Sequence, residues 1–211
     1  WLMNTQLDEG AGQSLGRLIE AKGFTVHGGV FPSQVLSDDD GQVIGVLMAD
    51  ERIIPADLVI VAIGVKPRDE LFRAAEGEEP QFSLGARGGV VINDFCATEV
   101  PGIWAIGEVA NFEGMCLGLV APANTMAEIV ADRLHGGAAT FPGFDTATKL
   151  KLSGVDVASF GDAFARTEHS LEIVYADPAR GVYQKIVTTD DAKTLLGGIF
   201  VGDASPYMSL R

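Results

Sequence analysis

The chain has 211 residues, 47% of them hydrophobic, with 15 basic against 29 acidic residues and a formal charge of −14. This acidic balance argues against nucleic acid and anionic membrane as partners, because both need a basic surface. Two cysteines are too few for a disulfide framework, so we expect reduced thiols and a cytoplasmic protein. No apolar run approaches the roughly 18–20 residues needed to span a bilayer.

The first third of the chain predicts one helix and a set of short strands. Apolar residues at helical spacing predict a helix over 7–22, with Gly23 as its C-terminal stop. Four β-type runs follow, at 24–27, 33–37, 42–49 and 52–54. The cluster Asp38–Gly41 between the second and third of these runs predicts a hairpin turn.

Residues 57–64 form a continuous apolar run that ends in a glycine. A strand that is apolar on both faces is typical of a central parallel strand covered by helices. Gly64 would let the backbone lie close to a flat ligand, which makes Ile63 and Gly64 the first candidate binding residues. The alternative is a strand–turn junction with no ligand.

Residues 98–108 carry the most informative pattern, Thr-Glu-Val-Pro-Gly-Ile-Trp-Ala-Ile-Gly-Glu. A turn at Pro101 and Gly102 precedes a predicted short, buried strand, which stops at Gly107 and the carboxylate of Glu108. Ligands of open α/β sheets bind beyond the carboxyl ends of strands, and a carboxylate there can accept hydrogen bonds from a chain of hydroxyls. The alternative is a buried strand that ends in a glycine and a solvated glutamate.

The last part of the chain predicts a helix followed by an antiparallel sheet. A Gly-rich loop leads into a helix over 122–134, and Pro122 suits its first turn. From Thr148 onward the apolar period changes to two, which predicts a separate sheet of four or five strands. The charge balance also shifts near Phe144, in support of a domain boundary there.

The order of these motifs resembles that of the flavoprotein reductases with two dinucleotide-binding domains. Residues 98–108 are similar to their flavin signature T-x-x-P-x-[IVY]-[YFW]-A-x-G-D, with Glu108 in place of the aspartate. The Gly-Glu ending and the block Thr148–Asp162 resemble one branch of that family, the large subunits of assimilatory NAD(P)H-dependent nitrite reductases.

The resemblance implies FAD and NAD(P)H as cofactors. It implies that Gly107 and Glu108 face the ribityl chain of FAD and that the start of the later helix faces the isoalloxazine ring, through Val120, Ala121, Asn124 and Thr125. Ile63 and Gly64 would lie on the nicotinamide side. It implies no catalytic side chain and no metal ligand on this chain.

The resemblance also implies an α/β fold that is incomplete here: a partial doubly wound, glutathione-reductase-like module followed by a small antiparallel α+β domain. No G-x-G-x-x-G unit follows a strand in this sequence, so the phosphate-binding N-terminal half would lie upstream. The expected division is 1–67 for the remainder of the NAD(P)H-binding domain, 68–143 for the returning half of the FAD-binding domain and 144–211 for the C-terminal domain.

The implied function is electron transfer from NAD(P)H through FAD to an iron–sulfur and sirohaem centre outside this chain. The partners would be those domains or subunits and the missing N-terminal half, and a homodimer is compatible with the pattern. The fragment alone is expected to be apo or to bind FAD weakly. A reductase of rubredoxin or ferredoxin type, and a non-catalytic interaction fragment, remain alternatives, as does the choice between NADH and NADPH.

Overall fold

The computed structural model describes residues 1–74, 77, 79–116 and 118–211. Two compact units make up the chain: Trp1–Ile60 together with Thr146–Arg211, and Val61–Asp145. Within the described residues, no helix is long and apolar enough to cross a membrane.

Helix α1, Glu9–Glu20, opens the first unit. The side chain of Asp8 caps its N-terminus by accepting a hydrogen bond from the backbone N–H of Ala11 at 2.9 Å. The helix ends at Ala21, and Gly23 follows with a φ of +93°. The predicted helix is therefore confirmed, two residues shorter at each end.

An antiparallel meander follows α1. Its strands are β1 (Pro32–Ser37), β2 (Val43–Met48) and β3 (Ile53–Pro55), hydrogen-bonded in the order β1-β2-β3. The predicted turn between the first two is confirmed, because Asp38 accepts hydrogen bonds from the backbone N–H groups of Asp40 and Gln42. The strand predicted at 24–27 is wrong: those residues form no ladder.

The C-terminal part of this unit is the predicted antiparallel sheet. Five strands form it: β6 Thr148–Leu152, β7 Val155–Gly161, β8 Leu171–Asp177, β9 Val182–Thr188 and β10 Leu195–Gly202. They pair in the order β6-β7-β10-β9-β8, and the short helix α3, Tyr207–Leu210, follows. One apolar core joins the buried face of α1 to this sheet, through residues that include Leu15, Val157 and Ile199.

The second unit is built on one parallel strand pair and a helix. Strand β4 (Val90–Ile92) pairs with β5 (Ala110–Phe112), and α2 (Val120–Leu134) packs on them through Met126 and Ile129. Helix α2 begins two residues earlier than predicted, still with Pro122 in its first turn, where a missing N–H costs little. The sequence also indicates a short helix over 70–76; the structure has a 3₁₀ turn at Glu70–Phe72, and residues 75 and 76 lie outside the described part.

Two predicted strands are absent. Residues 57–64 form no strand, and most of their apolar side chains are exposed: that of Ile63 is 87% accessible. A central parallel strand needs bonded neighbours and covering helices, and the only parallel pair within the described residues is β4–β5. The strand expected before Gly107 is likewise reduced to one bridge, between Ala97 and Trp104, while the real strand, β5, follows Glu108.

Candidate functional site

Glu108 lies in a single 3₁₀ turn, Gly107–Val109, between extended backbone at Ile106 and strand β5. Gly107 has a φ of +74°, in the left-handed region that side chains make costly. A Cβ atom at Gly107 would also lie 3.7 Å from the Cβ of Ala123 in α2. The glycine therefore allows the chain to turn against the first part of α2 and to present Glu108 there.

A hydrogen bond to the buried Met126 links the turn at Gly107–Val109 to α2. The backbone N–H of Gly107 donates a hydrogen bond to the Sδ atom of Met126 at 3.3 Å. Met126 is fully buried in the core of the second unit, where it also contacts the β4–β5 layer. The position of Glu108 relative to α2 is thus set by a backbone contact and not by the exposed carboxylate itself.

The carboxylate of Glu108 lies beside the backbone of Gly118, two residues before α2. A Cβ atom built on Gly118 would come within 3.2 Å of both Cδ and Oε1 of Glu108 and within 3.4 Å of Oε2. The structure therefore brings Gly107, Glu108 and the start of α2 together.

The N-terminus of α2 is open. Leu119 occupies the N-cap position and supplies no side-chain hydrogen bond, and Val120, the next residue, is 76% exposed. A helix start without a side-chain cap leaves backbone N–H groups available to an acceptor, together with the positive end of the helix dipole. Ala121 and Asn124 are exposed, while the hydroxyl of Thr125 donates to the carbonyl of Ala121 at 3.2 Å.

Two buried polar side chains, Asp69 and Asn111, stabilise the β4–β5 strand pair next to Glu108. Asp69 accepts a hydrogen bond from the N–H of Gly89 at 2.8 Å and pairs with Arg73 at 2.8 Å, and these partners lower the pKa of its carboxyl. Asn111 in β5 donates to the carbonyl of Gly88 at 3.1 Å. Because Gly88 and Gly89 lead directly into β4, these bonds fix both strands at their start.

Both cysteines are free thiols. Burial raises the pKa of Cys96 to about 11. Burial also raises the pKa of Cys116, and the charges of Asp69 and Glu108 add to the effect. Over the described residues, no group of three or more His, Cys, Asp or Glu side chains is arranged to hold a metal ion.

Ile63 and Gly64 are both exposed and belong to no strand or helix. Gly64 has a φ of +101°, and a Cβ atom built on it would meet no atom within 4 Å. Glycine is the residue that adopts this backbone conformation readily.

Sequence reasoning did not assign the residues that support the site: Met126, Asp69, Asn111 and Gly118. Met126 lies on the apolar face of the predicted helix, which indicates a core residue, and a sulfur acceptor leaves no sequence signal. For Gly118, the one available signal is its place in the Gly-rich loop that leads into the predicted helix.

Comparison with known families identifies the class of protein to which this chain belongs. Residues 1–130 match the family model for pyridine nucleotide-disulphide oxidoreductases, and residues 147–211 match the C-terminal domain of rubredoxin NAD+ reductase. The chain belongs to the pyridine nucleotide-disulphide oxidoreductase family. This is a family of FAD-dependent enzymes that use NAD(P)H, which confirms the predicted cofactor classes at the level of the family.

Within this family the chain is similar to nitrite reductases. It is 37% identical over 209 residues to the large subunit of nitrite reductase (NADH) from Escherichia coli, covering 99% of this chain and 24% of that protein. It is 35% identical over 206 residues to nitrite reductase [NAD(P)H] from Bacillus subtilis, covering 97% of this chain and 24% of that protein. The predicted resemblance is confirmed, and the chain spans about a quarter of the length of these relatives.

Solved structures support the fold. A ferredoxin reductase from Rhodopseudomonas palustris superimposes with a TM-score of 0.75 at 24% identity, over 98% of this chain and 49% of that one. The NADH:rubredoxin oxidoreductase from Clostridium acetobutylicum gives a TM-score of 0.61 at 24% identity, over 97% of this chain and 47% of that one. The predicted fold class, part of an FAD/NAD(P)-binding module with an antiparallel C-terminal domain, is confirmed.

Proposed function

We propose that this chain is part of a flavoprotein that passes electrons from NAD(P)H through FAD to an iron–sulfur and sirohaem centre that reduces nitrite. The observation that carries the proposal is the exposed carboxylate of Glu108, presented beside the uncapped start of α2 within a chain similar to nitrite reductases along its whole length. The nitrite-reducing centre belongs to the proposal as a domain or subunit outside this chain.

The residues present fit a flavin. Glu108 can accept hydrogen bonds from adjacent hydroxyls, and the open N–H groups of α2 suit electron-rich atoms at a ring edge. The exposed apolar side chains of Ile106, Leu119 and Val120 flank this point, as expected where a flat, partly apolar ligand is to be covered. FAD, when bound, accepts hydride and releases electrons singly, while the protein supplies orientation and electrostatics.

Each candidate residue has a role in this proposal. Gly107 and Glu108 hold the ribityl chain. Val120 and Ala121 offer backbone N–H groups to the isoalloxazine ring, with Asn124 and Thr125 beside its pyrimidine edge. Because Pro122 has no N–H, the donors at this helix start come from its neighbours.

Ile63 and Gly64 are proposed to face the nicotinamide once residues 57–64 are paired as a strand. The exposed apolar side chains of this run are what a central strand shows when its neighbours are not present. We therefore propose that the N-terminal half of the module, with both phosphate-binding loops, supplies those neighbours. In that arrangement residues 1–67 complete the NAD(P)H-binding domain, 68–143 the FAD-binding domain, and 144–211 form the C-terminal domain.

The test compares the longest natural polypeptide that contains this sequence with the 211-residue chain. For each, flavin absorbance per polypeptide and the NADH- and NADPH-dependent reduction of ferricyanide and nitrite are measured. We expect bound FAD and reduction of both acceptors in the longer protein, and little or no bound FAD in the 211-residue chain, because the pyrophosphate site is upstream. Full FAD occupancy of the 211-residue chain would contradict the proposed division, and a longer protein without flavin would contradict the function.

A second candidate is a reductase that delivers electrons to rubredoxin or ferredoxin. The match of residues 147–211 to the C-terminal domain of rubredoxin NAD+ reductase favours it. The same longer polypeptide separates the two: reduction of rubredoxin without reduction of nitrite would support this candidate.

A homodimer and a cytoplasmic location stay predictions, to be checked by sedimentation and by fractionation.

A further inference from the structure

Gly118 is a glycine for reasons of space and not of backbone conformation. It is not among the residues with positive φ, so an alanine could adopt its backbone angles without strain. What stands in the way of a side chain is the carboxylate of Glu108, whose Cδ and Oε1 would lie 3.2 Å from the new Cβ atom. The three atoms nearest to this Cβ would all belong to that one carboxylate.

We propose that Gly118 is a positioning residue that makes room for the longer arm of Glu108, and that the two residues form a matched pair. The inference rests on the proposed function, in which Glu108 binds the hydroxyl chain of FAD. A glutamate carries its carboxylate one methylene further out than an aspartate. The missing side chain at residue 118 provides the volume that this extra reach requires.

Gly118 and Glu108 should determine the hydrogen-bond geometry at the FAD hydroxyls, but not the stability of the fold. The carboxylate is the far end of a flexible, exposed side chain, so it can yield by a few tenths of an ångström when a methyl group is added at residue 118. Hydrogen bonds from hydroxyls weaken as their length and angle depart from the preferred range. A methyl group at residue 118 is therefore expected to weaken FAD binding while the stability of the apoprotein stays unchanged.

A double-mutant cycle tests the pairing in the longest natural polypeptide that contains this chain. The variants are Gly118→Ala, Glu108→Asp and their combination, with Gly28→Ala as the control. Gly28 has no positive φ and no atom within 4 Å of a built Cβ, so the same methyl group meets open space there. The dissociation constant of FAD is measured by titration of each apoprotein, and thermal unfolding of the apoproteins checks the fold.

In the protein with the natural Glu108, we expect Gly118→Ala to raise the FAD dissociation constant about fivefold to tenfold. In the Glu108→Asp background, we expect the same substitution to raise it less than about twofold. Equal effects in the two backgrounds, or none in either, would overturn the pairing. A Glu108→Ala variant separates this failure from failure of the proposed function. If it binds FAD as the wild type does, Glu108 has no role in the site; if it binds weakly while the cycle is additive, only the pairing is wrong.

Discussion

At the scale of single residues, burial decides how the two thiols behave. Cys96 is fully buried with a pKa of about 11, and the pKa of the partly exposed Cys116 is also raised. The thiolate is the reactive form, so at pH 8 about one part in a thousand of Cys96 is reactive even before access is considered. We expect slow labelling of both thiols by a disulfide reagent in the native chain and fast labelling after denaturation. Rapid native labelling of Cys96 would contradict its burial.

Asp69 makes the stability of the second unit depend on pH in the acid range. Its pKa is held below the ordinary value of 3.8 by the Gly89 N–H and by Arg73. A depressed pKa contributes stability that is complete above the unfolded value and is lost as pH falls through the folded value. An Asp69→Asn variant should therefore be less stable at neutral pH but lose less stability as the pH falls into the acid range. Circular dichroism against pH measures this, with the exposed Asp94→Asn as the control; parallel curves for Asp69→Asn and the wild type would contradict it.

At the scale of elements, a buried lysine ties α1 to the C-terminal sheet. Lys185 in β9 is 3% exposed and pairs with Asp8, the cap of α1, at 2.7 Å and with Glu172 in β8 at 2.8 Å. Burial opposes its charge, but hydrogen bonds to the two carboxylates more than offset this and raise its pKa. The hydroxyl of Tyr183 donates to the same Asp8 at 3.0 Å. One polar cluster thus fixes the start of the helix against two strands.

Lys185→Met tests this cluster, because it keeps the apolar stem and removes the charge. Leaving Asp8 and Glu172 without their cation should lower the free energy of unfolding by about 2–4 kcal/mol. Lys193→Met is the matched control: Lys193 is 81% exposed and pairs with Asp191 at 3.1 Å, so its loss should cost less than about 0.5 kcal/mol. Urea denaturation of both variants checks the difference, and equal midpoints would show that the cluster adds nothing.

The sequence predicted those elements that a local period of apolar residues defines. The apolar spacing of Ala11, Leu15 and Ile19 predicted α1, and the period of two beyond Thr148 predicted an antiparallel sheet of four or five strands, of which the structure has five. Residues 57–64 have the composition of a buried strand. A strand also needs neighbouring strands to pair with, and this segment forms no ladder. The site was predicted in part for the same reason. Glycines and a carboxylate leave a pattern in the sequence, whereas the contact of Met126 with Gly107 depends on tertiary packing.

At the scale of the whole molecule, the exposed apolar run supports the proposal that this chain acts within a larger module. Leu58 and Ile60, and further along Ile63 and Val65, are all largely exposed. Soluble proteins seldom leave such a continuous apolar surface without a binding role. We expect the amides of residues 57–64 to exchange rapidly with solvent in the 211-residue chain and to be protected in the longest natural polypeptide. Equal exchange in both would mean that no upstream strand pairs with this run.

The central claim is that Glu108 and the start of α2 form one wall of an FAD site. The most direct measurement is the dissociation constant of FAD for the longest natural polypeptide, with wild-type sequence, with Glu108→Ala and with Glu128→Ala. Glu128 is an exposed glutamate further along α2, away from the helix start, and serves as the matched control. The account predicts that Glu108→Ala weakens FAD binding at least about tenfold while Glu128→Ala leaves it unchanged. Equal affinity of all three proteins for FAD would contradict it.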